Sequence, residues 1–179
     1  KVDNDYIIEN VDLGSGGLRP ATQVNICHKK GSCILQVIGV HLAAGKKTAK
    51  RIEQVNIIAE NLKSLTRKLP TIITGDFNSY YSSQNGLAKD DIFFFEETLS
   101  SGSQKFKSIT STIKTYNTGD WARSYDHIVA TQDIRVIKTK GYEACSEKPD
   151  FKKVFIPYPS FRKYFSDHCP VLAEIKVAN

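Results

Sequence analysis

Asp76 and Asn78 stand two residues apart, directly after the run Thr71-Ile72-Ile73-Thr74-Gly75. A short β-branched strand followed by a glycine that lets the chain turn would bring both side chains out together at the edge of a sheet. One carboxylate and one neutral amide at one point suit a hard divalent cation such as Mg²⁺, and the amide can steady a phosphoryl oxygen without adding repulsion. Taken singly, Asp and Asn after a strand are turn formers. The case for chemistry rests on their company: His41, Asp126, Asp167 and His168 also stand directly before or after apolar runs. Carboxylates and an Asn can hold a metal and a phosphate, and two histidines can supply a base and a proton donor. Either Asp126 or Asp167 could orient an imidazole through its second nitrogen.

The elements that must position these residues follow from periodicity. Thr22 to Cys27 and Ile34 to Val40 read as strands joined by a hairpin, and His41 ends the second, which is apolar almost throughout. Ile52, Val55, Ile58, Ala59, Leu62, Leu65 and Leu69 then recur at helical spacing, with Thr48 to cap the start and Pro70 to stop it. The strand into Asp76 follows at once. Strand, helix and strand with short joints make a βαβ unit in an α/β fold. Lys1 to Gly17 shows little periodicity, and Asp90 to Thr98 fits a short helix or a strand. Asp126 opens a further strand that continues in extended form through Ile134 to Lys138. The chain ends in an alternating strand, Val171 to Val177. The long connection Lys140 to Tyr164 is expected to flank a substrate groove.

At 179 residues, 40% hydrophobic and 25% charged, the chain fits one globular domain over residues 1–179. No apolar run reaches the length of a membrane span, and no signal peptide stands at Lys1. With no Met anywhere, the sequence reads as a mature, processed or truncated product. The net charge of +6 favours an anionic partner, nucleic acid or lipid head group. Lys46, Lys47, Lys50 and Arg51 near His41, and Arg162 and Lys163 near Asp167, gather that charge around the candidate site. Cys27 and Cys33 bracket the hairpin loop and could bridge if their Cβ atoms face each other, which would leave Cys145 and Cys169 as a second pair. This favours an oxidising compartment, secreted or periplasmic. No cysteine–histidine spacing for zinc is present. Several residues read as structural: His127 as a half-exposed strand filler, His28 as a loop residue, Trp121 as an anchor, and Phe93, Phe94 and Phe95 as core.

The order His41-Leu42, Gly75-Asp76-Phe77-Asn78, Tyr125-Asp126-His127-Ile128 and Ser166-Asp167-His168-Cys169-Pro170-Val171 resembles the endonuclease/exonuclease/phosphatase superfamily, nearest deoxyribonuclease I and related secreted nucleases. The likeness runs from about Arg19 to the C-terminus. It implies a four-layer α/β sandwich, of which this chain supplies mainly the C-terminal half. It implies His168 as the base that activates water, oriented by Asp126 or by its neighbours, and Asp167 in the metal site. Asp76 would contact the metal or the attacking group, Asn78 and His41 the phosphate or leaving oxygen, and Arg19 the nucleic-acid backbone. The implied cofactor is Mg²⁺, with Ca²⁺ or Mn²⁺ as alternatives.

The family's metal-binding Glu and a phosphate-binding Asn precede the stretch that matches Arg19. Only Glu9 and Asn10 stand nearby here, without the expected strand context. The missing half would leave an apolar sheet face open to water and would have to come from the same or another chain. The expected function is thus a divalent-metal-dependent phosphodiesterase, a nuclease acting on DNA or RNA. The alternatives are a phosphatase or sphingomyelinase-like enzyme on lipid head groups, with Tyr158, Phe161, Tyr164 and Phe165 as lipid-facing candidates, and an inactive fragment.

Overall fold

The structure, a computed structural model, describes residues 7–11, 19–28, 31–45, 47–66, 68–79, 92–110, 113, 115–117, 122–141 and 168–177. Asp167, Cys145, Trp121, Lys46, Arg162, Lys163 and the Lys140–Tyr164 connection beyond Gly141 lie outside these residues. The strands are β1 (Ile7–Val11), β2 (Ala21–Cys27), β3 (Cys33–His41), β4 (Thr71–Asp76), β5 (Phe106–Ser108), β6 (Tyr116–Asn117), β7 (Ala122–Arg123), β8 (Asp126–Thr131), β9 (Ile134–Gly141) and β10 (Val171–Val177); the helices are α1 (Thr48–Ser64) and α2 (Ile92–Leu99). Six strands form a central sheet in the order β1-β2-β3-β4-β8-β5, and β9 and β10 form a separate pair.

The βαβ unit is as the periodicity predicts: β3 and β4 run parallel, joined through α1. Val55, Ile58, Ala59 and Leu62 turn one stripe of α1 onto the sheet, where they meet Ile38, Val40, Ile73 and Val129. Helix α2 closes the same core with Ile92, Phe95 and Leu99. Of the three consecutive phenylalanines only Phe95 is fully buried; Phe94 packs against the core, whereas Phe93 is 45% exposed, as helical rotation requires. The helix boundaries also differ from expectation. Thr48 is the first helical residue rather than the cap, which is Lys47 without a side-chain bond. The other end stops at Ser64, where the Lys68 ammonium donates to the carbonyls of Leu62 and Lys63. Pro70 therefore terminates nothing; Leu69 lies beyond the helix.

The opposite face of the sheet was expected to stand open. Its centre is instead covered by the β9–β10 pair: Leu35, Ile72, Ile128 and Ala130 pack with Ile134, and Val171, Ala173, Ile175 and Val177 line the contact half-buried. The alternation in β10 is the signature of this one-sided packing. Helices, central sheet and β9–β10 pair make three of the four layers expected of the sandwich. At the end of the β2–β3 hairpin, Cys27 and Cys33 are joined in a disulfide, and Cys169 is disulfide-bonded as well.

Gly75 is the position where the sheet leaves no choice of residue. Its φ is +136°, and a Cβ built there would lie 2.0 Å from the Val40 carbonyl oxygen of the paired strand. We therefore expect Gly75→Ala to cost about 3 kcal/mol or more. Urea denaturation would read this as a large loss of midpoint; an unchanged midpoint would contradict the close approach.

Candidate active site at the β3, β4 and β8 strand ends

The ladder pairs His41 with Asp76 across the parallel β3–β4 junction, and Asp76 with Asp126 across the antiparallel β4–β8 junction. Directly paired residues point to the same side of a sheet, so the three side chains form one row at its edge. Two further backbone bonds hold the row beyond the ladder: Leu42 N–H donates to the Asp76 carbonyl and Phe77 N–H to the Tyr125 carbonyl.

Each member of the row is held by a further group. The Arg19 guanidinium, from the lead-in to β2, donates to His41 Nδ1 at 2.6 Å. A guanidinium can only donate, so Nδ1 carries no proton and the ring proton sits on Nε2. That nitrogen lies 3.6 Å from Asp76 Oδ2. Asn78 has a left-handed backbone (φ 49°), in which its N–H reaches Asp76 Oδ1 at 2.7 Å while its side-chain amide donates to the Leu42 carbonyl at 3.0 Å. At the far end of the row, His168 Nδ1–H donates to Asp126 Oδ2 at 2.7 Å. In the neutral ring this bond leaves Nε2 as the unprotonated nitrogen, the form a general base needs. The Tyr116 and Tyr125 rings flank it, with centroids 5.1 and 6.4 Å from the His168 ring.

Arg19, His41, Asp76, Asn78, Asp126 and His168 are thus gathered at one sheet edge, although they span most of the chain. Of the predicted catalytic, metal-binding and substrate-binding residues, Asp167 alone lies outside the described residues. Two other expectations change. Arg51 belongs to no exposed basic face: it is 2% exposed, and its guanidinium donates to the Ala43 and Gly45 carbonyls and to Thr48 Oγ1. It shapes the turn that leaves His41, as does Gln54, whose Oε1 accepts from Ala43 N–H. His127 is no half-exposed filler either. It is fully buried, edge-on to Phe77, and its Nε2–H donates to the Ser79 carbonyl at 2.7 Å, pinning the turn that carries Asn78. Its neighbour Asp126 faces the site, so alternation along β8 sends His127 to the core. Glu9 does sit in a strand, paired with Gln23 in β1. Two strands separate β1 from β4. At the spacing of neighbouring strands this puts the β1 and β4 backbones about 14 Å apart.

Asp76, Asp126 and His168 offer ligand atoms that all lie within 4.8 Å of one another. Burial of Asp76 raises its carboxyl above the ordinary range, and neighbouring Asp126 adds to this; the bond from Asn78 N–H, His168 and His41 oppose it. Two converging carboxylates, one of them desolvated, fit a hard divalent cation, which would offset both the burial and the mutual repulsion. His168 Nδ1–H engages Asp126 Oδ2 and Asn78 N–H engages Asp76 Oδ1, so each carboxylate has a second oxygen that could take an ion.

Residues 9–168 match the family model described as the endonuclease/exonuclease/phosphatase family, and the chain belongs to that family. The fold is shared with D. rerio TDP2 in a form humanised by 14 mutations (TM-score 0.64, 12% identity, 96% of this chain and 66% of that one). A second structure of that protein is complexed with a single-strand DNA product. It is shared too with an endonuclease/exonuclease/phosphatase from Bacteroides vulgatus (0.63, 17%, 98% and 67%). A third similar structure is the mannosyl-6-phosphatase Bt3783 of Bacteroides thetaiotaomicron (0.58, 20%, 97% and 68%). The chain spans about two thirds of the length of these structures. No curated protein matches its sequence.

The raised carboxyl of Asp76 has a sign that can be measured. In the window above the ordinary aspartate range the folded chain keeps a proton that the unfolded chain gives up, so this group's stabilisation is full at low pH and lost as pH rises through the folded value. Asp76→Asn, which keeps an oxygen for Asn78 N–H, should raise the metal-free melting temperature at neutral pH. The gain should vanish below about pH 3. Added Mg²⁺ should raise the melting temperature of the wild type and not of the variant. A variant less stable at neutral pH would contradict the assignment.

Proposed function

We propose that this chain carries the catalytic edge of a divalent-metal-dependent phosphoesterase, and that the substrate is a nucleic acid. The observation that carries the reading is the row His41–Asp76–Asp126 with His168 bonded to its far end. His168 Nε2 takes the proton of the attacking water, and Asp126 steadies the imidazolium that forms. The side-chain amide of Asn78 and the Nε2–H of His41 face the phosphoryl and leaving oxygens, with Arg19 keeping His41 in its donor tautomer. A cation bound at Asp76 supplies Lewis-acid polarisation and charge neutralisation; Asp167 is a further candidate ligand.

The net charge of +6 and the exposed Arg19 support a polyanionic substrate. A phosphomonoesterase is the second reading, favoured by the 20% identity to the Bacteroides thetaiotaomicron phosphatase. The Cys27–Cys33 disulfide supports a secreted or periplasmic setting. We further propose that the segment the relatives possess beyond this chain's span supplies the remaining metal ligands, from the same or another polypeptide.

Plasmid nicking with Mg²⁺, with and without a chelator, tests this beside p-nitrophenyl phosphate hydrolysis. Chelator-sensitive nicking, reduced about 10³-fold in His168→Ala, is the expected result. Monoester hydrolysis without nicking would favour the phosphatase. Neither activity in a folded chain would contradict both.

A further inference from the structure

Asp126 and His168 meet across 42 residues of sequence. Among the described residues no ladder joins β8 to the His168 segment: β8 pairs with β4 and β5, and His168 pairs with Tyr116. One residue bonds to the backbone of both segments. Thr115 is fully buried, and its Oγ1 accepts the N–H of Tyr125 at 3.1 Å and the N–H of Asp126 at 3.0 Å. Its own carbonyl accepts the N–H of Cys169, directly after His168, at 2.7 Å.

We propose that Thr115 is the positioning residue of this site: its hydroxyl and carbonyl clamp the start of β8 and the His168 segment together, and so set the Asp126–His168 contact. This rests on the phosphoesterase reading above for its catalytic consequence, though not for its structural one. A hydroxyl oxygen has two lone pairs, and both are spent here on consecutive backbone donors just where β8 begins. The Tyr125 carbonyl between those donors is taken by Phe77 N–H from the other side. The strand entry that carries Asp126 is therefore fixed between the β4 turn and Thr115. Through the Thr115 carbonyl the same residue fixes the height of His168, and through its neighbour Tyr116 it places one ring against the imidazole. Thr115 touches no reacting atom; it acts on the distance and angle between base and carboxylate, to which proton transfer is sensitive.

Three substitutions test this. Thr115→Ser keeps the hydroxyl, Thr115→Val keeps the shape and removes the acceptor, and Thr115→Ala removes both. In metal-free, ¹⁵N-histidine-labelled protein above the ordinary histidine titration range, His168→Gln identifies the His168 ring signals. The wild type and Thr115→Ser should show His168 protonated at Nδ1 with Nε2 bare. Thr115→Val should lose that fixed tautomer while remaining folded. With bis(p-nitrophenyl) phosphate and Mg²⁺, Thr115→Val should lower kcat about tenfold or more and leave KM unchanged, and Thr115→Ser should restore it. A folded Thr115→Val with the wild-type ring pattern, or a Thr115→Ser that loses it, would overturn the proposal. If Thr115→Val does not fold, Thr115→Ala is read in its place. If neither hydroxyl-free variant folds while Thr115→Ser does, Thr115 serves the core and the proposal fails. A wild type without hydrolysis would count against the phosphoesterase reading alone, because the ring pattern still decides the role of Thr115.

Discussion

The site depends on one register. Because β3 and β4 run parallel with His41 opposite Asp76, and β8 runs antiparallel with Asp126 opposite the same residue, three polar side chains from distant parts of the sequence fall in one row. Each pairing is fixed by backbone bonds that the apolar core protects, and a slip of a single residue would turn each side chain to the other face of the sheet. The core therefore does more than hold the domain together. The packing of Ile73 and Val129 beneath α1, and of Ile72 and Ile128 beneath the β9–β10 pair, decides which residues emerge at the edge.

That arrangement carries an internal tension. A half-buried carboxyl beside a second carboxyl is disfavoured in its charged form, and Asp76 accepts a backbone N–H and has two imidazoles nearby without losing that penalty. The chain holds the arrangement by a hydrogen bond to each member of the row: Asn78 N–H to Asp76, the Arg19 guanidinium to His41, and His168 Nδ1–H to Asp126. A cation bound between the two carboxyls would relieve that penalty.

Much of this was legible in the sequence, and the reasons differ by element. The β3–α1–β4 unit and β10 announce themselves through period, since each buries one face against a layer that demands it. The candidate residues were visible because each stands at the border of an apolar run, which is where strand ends release side chains to solvent. What periodicity could not show is which polar residues turn inward. Arg51, placed among lysines, reads as surface, yet it is spent on two carbonyls of the turn after His41. His127 reads as half-exposed because it stands at the start of a strand beside Asp126, although the alternation that exposes Asp126 buries it. Thr115 lies in the Ser- and Thr-rich stretch Ser108 to Asn117, whose composition does not single it out; its role arises from long-range bonds. The strand context of Glu9 was missed for the related reason that β1 is a short edge strand.

If Asp76 anchors a divalent cation beside an intact Asp126–His168 pair, anomalous scattering from crystals of the chain soaked with Mn²⁺ and phosphate should reveal it. The expected result is a manganese peak on the Asp76 carboxylate, with His168 Nδ1 still bonded to Asp126 and a phosphate oxygen facing Asn78 and His41. Manganese bound to the His168 ring with the Asp126 bond broken, or bound only away from the β3–β4–β8 edge, would contradict it.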